Sequence, residues 1–153
     1  MPKASVKRLI ECKKEQLVDL VLDIENYPIF IPYCLDAKIY EKKEEGHLIL
    51  IIADLTIGKG PFKATYKSDV KFNKNTDTIH VTNIEGPLKY LDNNWAFFEK
   101  GNSTEISFDI DFEIENKFLN IVMSKSFQYG LDKIADSFQK RADDLFKGRL
   151  KVR

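Results

Sequence analysis

The amino-acid sequence predicts a two-layer α+β domain, in which one antiparallel sheet is covered by a long C-terminal helix. Three observations lead to this fold class. Strand-like segments follow one another from residue 37 to residue 115 without a helical interruption, which is typical of an antiparallel sheet. The clearest of them, Glu105–Glu115, alternates apolar and polar residues and so has a single dry face. A final segment repeats apolar residues at helical spacing, as expected for a helix that covers this face.

The first elements of the chain are predicted to be one strand and one short helix. Ser5–Glu11 alternates loosely, as a strand does. Apolar residues then recur at helical spacing until Pro28, which cannot continue a helix. These apolar residues are Leu17, Leu20, Val21 and Ile24.

The sheet and the closing helix are predicted from the remaining two thirds of the chain. Gly, Asn, Asp and Pro separate the strand candidates where their alternation breaks. The strand candidates are Ala37–Lys42, Leu48–Ile57, Phe62–Phe72, Thr78–Ile84, Tyr90–Phe98 and Glu105–Glu115. The apolar repeat of the closing helix consists of Phe118, Ile121, Val122, Phe127, Leu131, Ile134, Ala135, Phe138, Ala142 and Leu145, with Gly148 as its stop signal.

A strongly twisted sheet around one long helix tends to leave space between the two layers. The predicted dry faces would line that space with apolar side chains, which is the outline of a ligand-binding pocket. We therefore expect residues 1–148 to form a single domain with an apolar cavity, followed by a basic tail at residues 149–153.

Composition narrows the classes of function. The chain has 153 residues, of which 43% are hydrophobic and 31% charged, as in an ordinary globular domain. The 24 basic residues equal the 24 acidic ones, so the overall charge does not indicate a DNA-binding protein. The longest apolar run, Leu48–Ala53, is too short to span a bilayer as a helix. The N-terminus lacks an apolar signal core, which predicts a cytoplasmic protein with free thiols at Cys12 and Cys34.

The sequence does not require an enzyme. His47 and His80 are expected to lie in water, and no nucleophile motif or metal-ligand spacing is present. Asp54 lies within an apolar run, where it is either a general base with a perturbed pKa or the end of a strand close to water. We expect no catalytic residue, metal ion or required cofactor.

The stretch ENYPIFIPYC, residues 25–34, places three large apolar residues between two prolines. It is either a packed corner of extended backbone or a lid over a cavity. The sequence alone leaves both options open.

Three stretches resemble a known family. LVLDI with ENYPIFIPYC, then EGPLKYLDNNWAF, then DFEIENKF before the last helix, are similar to signatures of the coenzyme Q-binding protein family, which has the helix-grip, START-like fold. Its bacterial relatives include the ribosome-association toxins. The resemblance implies binding of a polyprenyl quinone such as ubiquinone, or a similar lipid, by a carrier that supports respiration. The other branch implies contact with the large ribosomal subunit.

The resemblance also implies a set of ligand-binding residues. The proline stretch would be a lid, Tyr66 would donate a hydrogen bond to a quinone carbonyl, and Trp95 and Phe97 would stack on its ring. The alternatives are a backbone partner for Tyr66 and a core role for the aromatic residues. The basic tail could contact anionic lipid at the inner membrane or ribosomal RNA. The full predicted set is Phe30, Pro32, Tyr33, Cys34, Tyr66, Trp95, Phe97, Phe108, Ile110, Phe127 and Leu131.

Overall fold

A computed structural model of the chain describes residues 3–59, 61–86 and 88–147, without the side chains of residues 59, 62, 118–127 and 147. Within these ranges the strands form one antiparallel sheet. The strands are β1 (Lys3–Ile10), β2 (Cys34–Glu45), β3 (Leu48–Lys59), β4 (Phe62–Asn73), β5 (Thr78–Glu85), β6 (Leu88–Lys100) and β7 (Ser103–Ile114). The helices are α1 (Lys14–Leu22), α2 (Tyr27–Phe30) and α3 (Lys117–Ala142), with a 3₁₀ turn at Ile24–Asn26 and a π turn at Asp143–Lys147.

The sheet has the strand order β1-β7-β6-β5-β4-β3-β2. Strands β2 to β7 therefore form a continuous meander, whereas the first strand returns to pair with the last. In that pair Lys3 lies opposite Asp111 and Ile10 lies opposite Thr104. This curved sheet with its long C-terminal helix confirms the predicted helix-grip fold.

Helix α1 packs against one end of the sheet. Its buried residues, Leu17, Val18, Leu20, Val21 and Leu22, include most of the predicted apolar repeat. Lys14 anchors the helix, because its Nζ lies 3.1 Å from Asp77 Oδ2 and 3.0 Å from Glu99 Oε1. These hydrogen bonds to Glu99 and Asp77 raise the pKa of Lys14.

The backbone of the proline stretch differs from the extended corner that was one of its two predicted alternatives. Helix α1 ends at Leu22, and Pro28 does not terminate it but lies in the first turn of α2. Proline fits there because the first turn of a helix leaves its N–H groups without intrahelical partners. Tyr27, which precedes Pro28, is helical (φ −53°, ψ −40°), whereas Ile31, which precedes Pro32, is extended (φ −92°, ψ 125°). The corner is thus a helical turn followed by one extended step.

Helix α3 runs alongside β1, the strand at one edge of the sheet. Gln128 Nε2 donates to the Ser5 carbonyl at 3.0 Å, and Gln139 Nε2 donates to the Leu9 carbonyl at 3.5 Å. These bonds satisfy carbonyls of an edge strand that would otherwise face water. The predicted residues Leu131, Ala135, Phe138 and Ala142 are buried on this helix. The side chains of Phe118, Ile121, Val122 and Phe127, and all of Gly148 and the basic tail, lie outside the described part of the chain.

Candidate functional site

The concave face of the sheet is apolar and unevenly covered. Its centre, at Ile51, Ala53 and Val70, is at most 5% exposed. Helix α3 lies beside β1, at one edge of the sheet. Around the buried centre of the concave face, several apolar side chains are only partly buried. These partly buried side chains are Ala37, Ile39, Ile49, Leu55, Val81 and Ile110.

Tyr66 lies on this concave face, opposite Leu55 in the β3–β4 pair. Its side chain is half-buried, and none of the hydrogen bonds within the described part of the chain involves its hydroxyl group. Burial, followed by the nearby Cys34, raises the pKa of Tyr66 far above its usual range. Tyr66 is therefore a neutral phenol on the apolar side of the sheet, and its hydroxyl group has no hydrogen-bond partner among the described residues.

Gly86 lies close against the backbone and Cβ of Tyr66. A Cβ atom at this position would lie 2.8 Å from Tyr66 Cβ and 2.9 Å from Tyr66 Cα. Its φ of +130° is also one that L-residues rarely adopt. Glycine is required here, because any side chain would displace Tyr66.

Cys34 and Tyr27 lie near Tyr66. Cys34 is buried at the start of β2, and burial followed by Asp36 raises its pKa to about 11. Tyr27 donates its hydroxyl proton to the Val21 carbonyl. Burial, followed by Tyr66 and Cys34, also raises the pKa of Tyr27. Tyr27, Cys34 and Tyr66 are therefore all uncharged at neutral pH. The surface that these three side chains form suits an uncharged ligand.

An aromatic cluster joins the sheet to α3. The Phe138 ring centroid lies 5.6 Å from Tyr27, 5.3 Å from Phe30 and 5.4 Å from Trp95. Trp95 stacks on Phe108 at 4.1 Å and donates from Nε1 to Asn93 Oδ1 at 2.7 Å. Trp95, Phe108 and Phe138 belong to the buried core cluster, and Tyr27 and Phe30 pack against it.

A groove separates the proline stretch from α3. It has a volume of about 510 Å³, and we call it the proline groove. Residues 28–32 form one wall, where the Ile29 side chain is 66% exposed, and Lys133, Asp136, Ser137 and Lys140 of α3 form the other. Tyr33, just beyond it, is 43% exposed with φ +69°, and its carbonyl accepts a hydrogen bond from Gly58 at 2.9 Å.

The predicted ligand-binding residues thus fall into separate places. Phe30 and Pro32 line the proline groove, and Tyr33 lies exposed beside it. Tyr66 and Ile110 lie half-buried on the concave face. The buried members are Cys34, Trp95, Phe97, Phe108 and Leu131, each at most 8% exposed. The side chain of Phe127 lies outside the described residues. Ligand contact by this set stays a prediction.

Sequence reasoning missed Tyr27, Phe138 and Arg141 as residues of this region. Phe138 was visible in the apolar repeat, but the repeat cannot show that its ring meets Phe30 across the chain. No local sequence feature distinguishes Arg141, since it is one of two adjacent basic residues in the last turn of α3.

The convex face is polar. His47 and His80 are exposed, as predicted, and His80 Nε2 lies 2.6 Å from Asp92 Oδ1 beside a depression of about 220 Å³. Asp54 is neither a strand end nor a buried base, because it lies within β3 on this face and accepts a hydrogen bond from Tyr40 at 2.8 Å. Among the described residues, no group of His, Cys, Asp and Glu is placed to hold a metal ion. No helix within the described ranges is both long and apolar enough to cross a bilayer.

This fold, with an apolar concave face under one long helix, defines a class of lipid-transport and polyketide-cyclase domains. The chain belongs to the family described as polyketide cyclase / dehydrase and lipid transport, whose model matches residues 10–139.

Relatives of this chain include a protein named as a ribosome association toxin and one named as a coenzyme Q-binding protein. The ribosome association toxin RatA of Rickettsia prowazekii is 31% identical over 144 residues, covering 92% of this chain and 95% of that protein. The mitochondrial coenzyme Q-binding protein of Dictyostelium discoideum is 30% identical over 135 residues, covering 86% of this chain and 64% of that protein.

Solved structures agree on the fold. A START superfamily protein from Mycobacterium smegmatis has a TM-score of 0.79 at 17% identity, covering 94% of this chain and 98% of its own. The Zhui aromatase/cyclase from a Streptomyces species has a TM-score of 0.73 at 11% identity, covering 92% of this chain and 93% of its own. The fold is therefore shared by a protein named as an aromatase/cyclase and by one named as a START superfamily protein.

Proposed function

We propose that the protein binds an isoprenoid quinone, such as ubiquinone, or a similar lipid between the sheet and α3, as a carrier rather than a catalyst. The observation that carries this proposal is Tyr66, a neutral phenol without a partner among the described residues on an apolar, partly buried surface. A quinone carbonyl would accept its hydrogen bond. The coenzyme Q-binding relative supports the same ligand class.

The apolar surface supplies the affinity for the isoprenoid chain. Burial of each CH₂ group contributes about 0.8 kcal/mol, so a few isoprene units suffice for micromolar binding or better. The exposed Ile29 would contact the inner membrane while the lipid is collected, which gives the protein a peripheral location there.

Organic extraction of the purified full-length protein, followed by mass spectrometry, tests the proposal directly. We expect a polyprenyl quinone or a comparable lipid in the extract. Added quinone should also raise the melting temperature, and Tyr66→Phe should weaken binding about fivefold to tenfold through the loss of one hydrogen bond. Lys63→Met, at an exposed position on the opposite face of β4 from Tyr66, is the control. An empty extract together with no thermal shift would reject the carrier.

Ribosome binding is a second candidate, favoured by the ribosome association toxin that matches nearly the whole chain. In this function the exterior and the basic tail make the contacts, and the interior is only a core. Cosedimentation with large ribosomal subunits should then be lost in a chain that ends at Lys147. Tyr66→Phe should leave it unchanged, which separates the two candidates.

A further inference from the structure

Asn83 is a second polar residue on the concave face, close to Tyr66. It lies in β5 directly opposite Ser68 of β4, and Ser68 is two residues along the strand from Tyr66. Val81, two residues earlier in β5, packs against the core, so alternation places Asn83 on the same face as Tyr66. Diagonal neighbours on one face of an antiparallel pair are about 7–8 Å apart, which is within reach of a single aromatic group. Tyr66 and Asn83 therefore border the same small area of the sheet.

The carboxamide of Asn83 has one end engaged and one end unpaired. Its Nδ2 donates to the Leu88 carbonyl at 3.1 Å, across the connection between β5 and β6. This bond uses the donor end of the amide. The acceptor end, Oδ1, has no hydrogen-bond partner within the described part of the chain. The side chain is half-buried, like that of Tyr66.

Neither of these unpaired atoms is closed off from a ligand. Among the described residues, Arg141 Nε is the only side-chain nitrogen or oxygen that is sealed from solvent and also lacks a partner. The Tyr66 hydroxyl group and Asn83 Oδ1 are thus unpaired but accessible. Polar groups on an apolar, half-buried surface are stabilised when a ligand supplies the missing hydrogen bonds. The concave face offers an entering molecule one phenol donor and one amide acceptor.

This pair of groups distinguishes the two redox forms of a quinone. The carbonyl oxygens of an oxidised quinone only accept hydrogen bonds, whereas the hydroxyl groups of a hydroquinone both donate and accept. Tyr66 can donate to an oxygen atom of either form. Asn83 Oδ1 can bond only to a hydroxyl group, because a second acceptor would leave it unpaired and would repel it.

We propose that this site binds the reduced, hydroquinone form of an isoprenoid quinone more tightly than the oxidised form, with Asn83 as the residue that determines the preference. The inference rests on the proposed quinone carrier and adds the redox state of its ligand. One additional hydrogen bond corresponds to a preference of about fivefold to tenfold. A tenfold preference raises the midpoint potential of the bound two-electron couple by about 30 mV.

The test uses the delipidated full-length protein with decylubiquinone and with its hydroquinone, which is kept under nitrogen. Isothermal titration calorimetry measures the two affinities, and we expect the hydroquinone to bind more tightly. The dimethyl ether of the hydroquinone keeps the ring and the alkyl tail but has no hydroxyl group, so it should bind no more tightly than the quinone. A redox titration of the bound ligand should show a midpoint potential above that of the free ligand.

Asn83→Leu and Asn83→Asp are a matched pair of variants. Both lose the hydrogen bond to the Leu88 carbonyl, but only aspartate keeps a side-chain acceptor. We expect Asn83→Leu to bind the two forms equally and Asn83→Asp to retain a preference for the hydroquinone. A loosened connection between β5 and β6 would instead weaken both forms to the same extent in both variants. Asn94→Leu, which replaces an exposed asparagine on the convex face, should leave both affinities unchanged.

Two results would overturn the proposal. The first is equal affinity of the native protein for the two forms, or tighter binding of the quinone. The second is a preference for the hydroquinone that persists unchanged in Asn83→Leu. Either result leaves the quinone carrier in place, because Tyr66→Phe should still weaken both forms. If neither form binds, the carrier itself is rejected and this inference is rejected with it.

Discussion

Asn93 illustrates how a single polar residue fits an apolar layer. It lies in β6 between the buried Leu91 and Trp95 and is only 7% exposed. Its Oδ1 accepts from Trp95 Nε1 at 2.7 Å, and its Nδ2 donates to the Asp109 carbonyl at 2.7 Å. Both ends of the amide are used, so this polar group is compatible with the core.

Replacement of Asn93 should therefore destabilise the protein. Asn93→Leu leaves the Trp95 indole N–H without its acceptor, and we expect the free energy of unfolding to fall by about 1–3 kcal/mol. Urea denaturation followed by the fluorescence of the single tryptophan measures it. Asn94→Ala, at the exposed neighbouring position, should change stability by less than about 0.5 kcal/mol. Similar losses in the two variants would contradict the prediction.

At this scale the sequence predicts which face a residue occupies but not what it touches. Alternation along β6 places Trp95 and Phe97 together on the dry face, as the structure shows. It assigns Asn93 to the same face, where asparagine is unexpected. The hydrogen bonds from the Trp95 indole and to the Asp109 carbonyl of β7 explain why asparagine fits there.

Helix α2 is the element that ties the proline stretch to the core. It is a single turn, too short to be stable alone, so tertiary contacts must hold it. Those contacts converge on Phe138 of α3, whose ring meets the rings of Tyr27 and Phe30. The position of the proline stretch therefore depends in part on a residue more than one hundred positions later.

Phe138→Ala should loosen this element. The ring is 3% exposed, and the loss of a buried phenylalanine typically costs about 3–5 kcal/mol. Hydrogen exchange of the backbone amides of residues 29–31 should accelerate more than that of β4. Tyr129→Ala, on the same helix but 63% exposed, is the matched control and should have little effect. Unchanged exchange in Phe138→Ala would show that other contacts hold α2.

Element boundaries were predictable where alternation was strict and less so near the prolines. Strand β7 was predicted at Glu105–Glu115 and runs from Ser103 to Ile114. For the proline stretch, the extended backbone of the corner alternative was wrong at Tyr27 and Pro28, because proline in a first helical turn and proline after a helix give the same local signal.

At the scale of the whole molecule, the buried cysteine thiols make the free energy of unfolding depend on pH. The pKa values of Cys12 and Cys34 are raised by burial to about 11, against 9.0 for a free thiol. Between these values the thiols ionise in the unfolded chain but stay protonated in the fold. The unfolded state therefore loses protons first, and the free energy of unfolding must fall as pH rises through this window.

We expect a loss of roughly 1 kcal/mol per thiol between pH 8 and pH 10. Urea denaturation at the two pH values measures it. Cys12→Ala and Cys34→Ala should each remove about one thiol's share of the pH dependence, whatever their effect at pH 8. The raised pKa values of Tyr27 and Tyr66 add a further fall above pH 10, in the same direction. A pH-independent free energy of unfolding up to pH 10 would contradict the burial of both thiols.

The candidate site was less predictable than the fold for a physical reason. Strand faces follow from local alternation, so the dry side of the sheet could be read from the sequence. The proline groove and the gathering of Tyr27, Cys34 and Tyr66 depend on residues that are distant in sequence. Arg141 and Phe30 are an example, because neither has a local feature that points to the other.

The pairing of β1 with β7 has a consequence for synthesis on the ribosome. On one edge, β1 pairs with β7, where Lys3 lies opposite Asp111. On its other edge, the Ser5 carbonyl accepts a hydrogen bond from Gln128 of α3. Both partners are synthesised more than one hundred residues after β1. Contacts so distant in sequence close large loops and slow folding. A nascent chain therefore carries an unpaired β1 until β7 has been translated, which makes this strand a segment that a chaperone would protect.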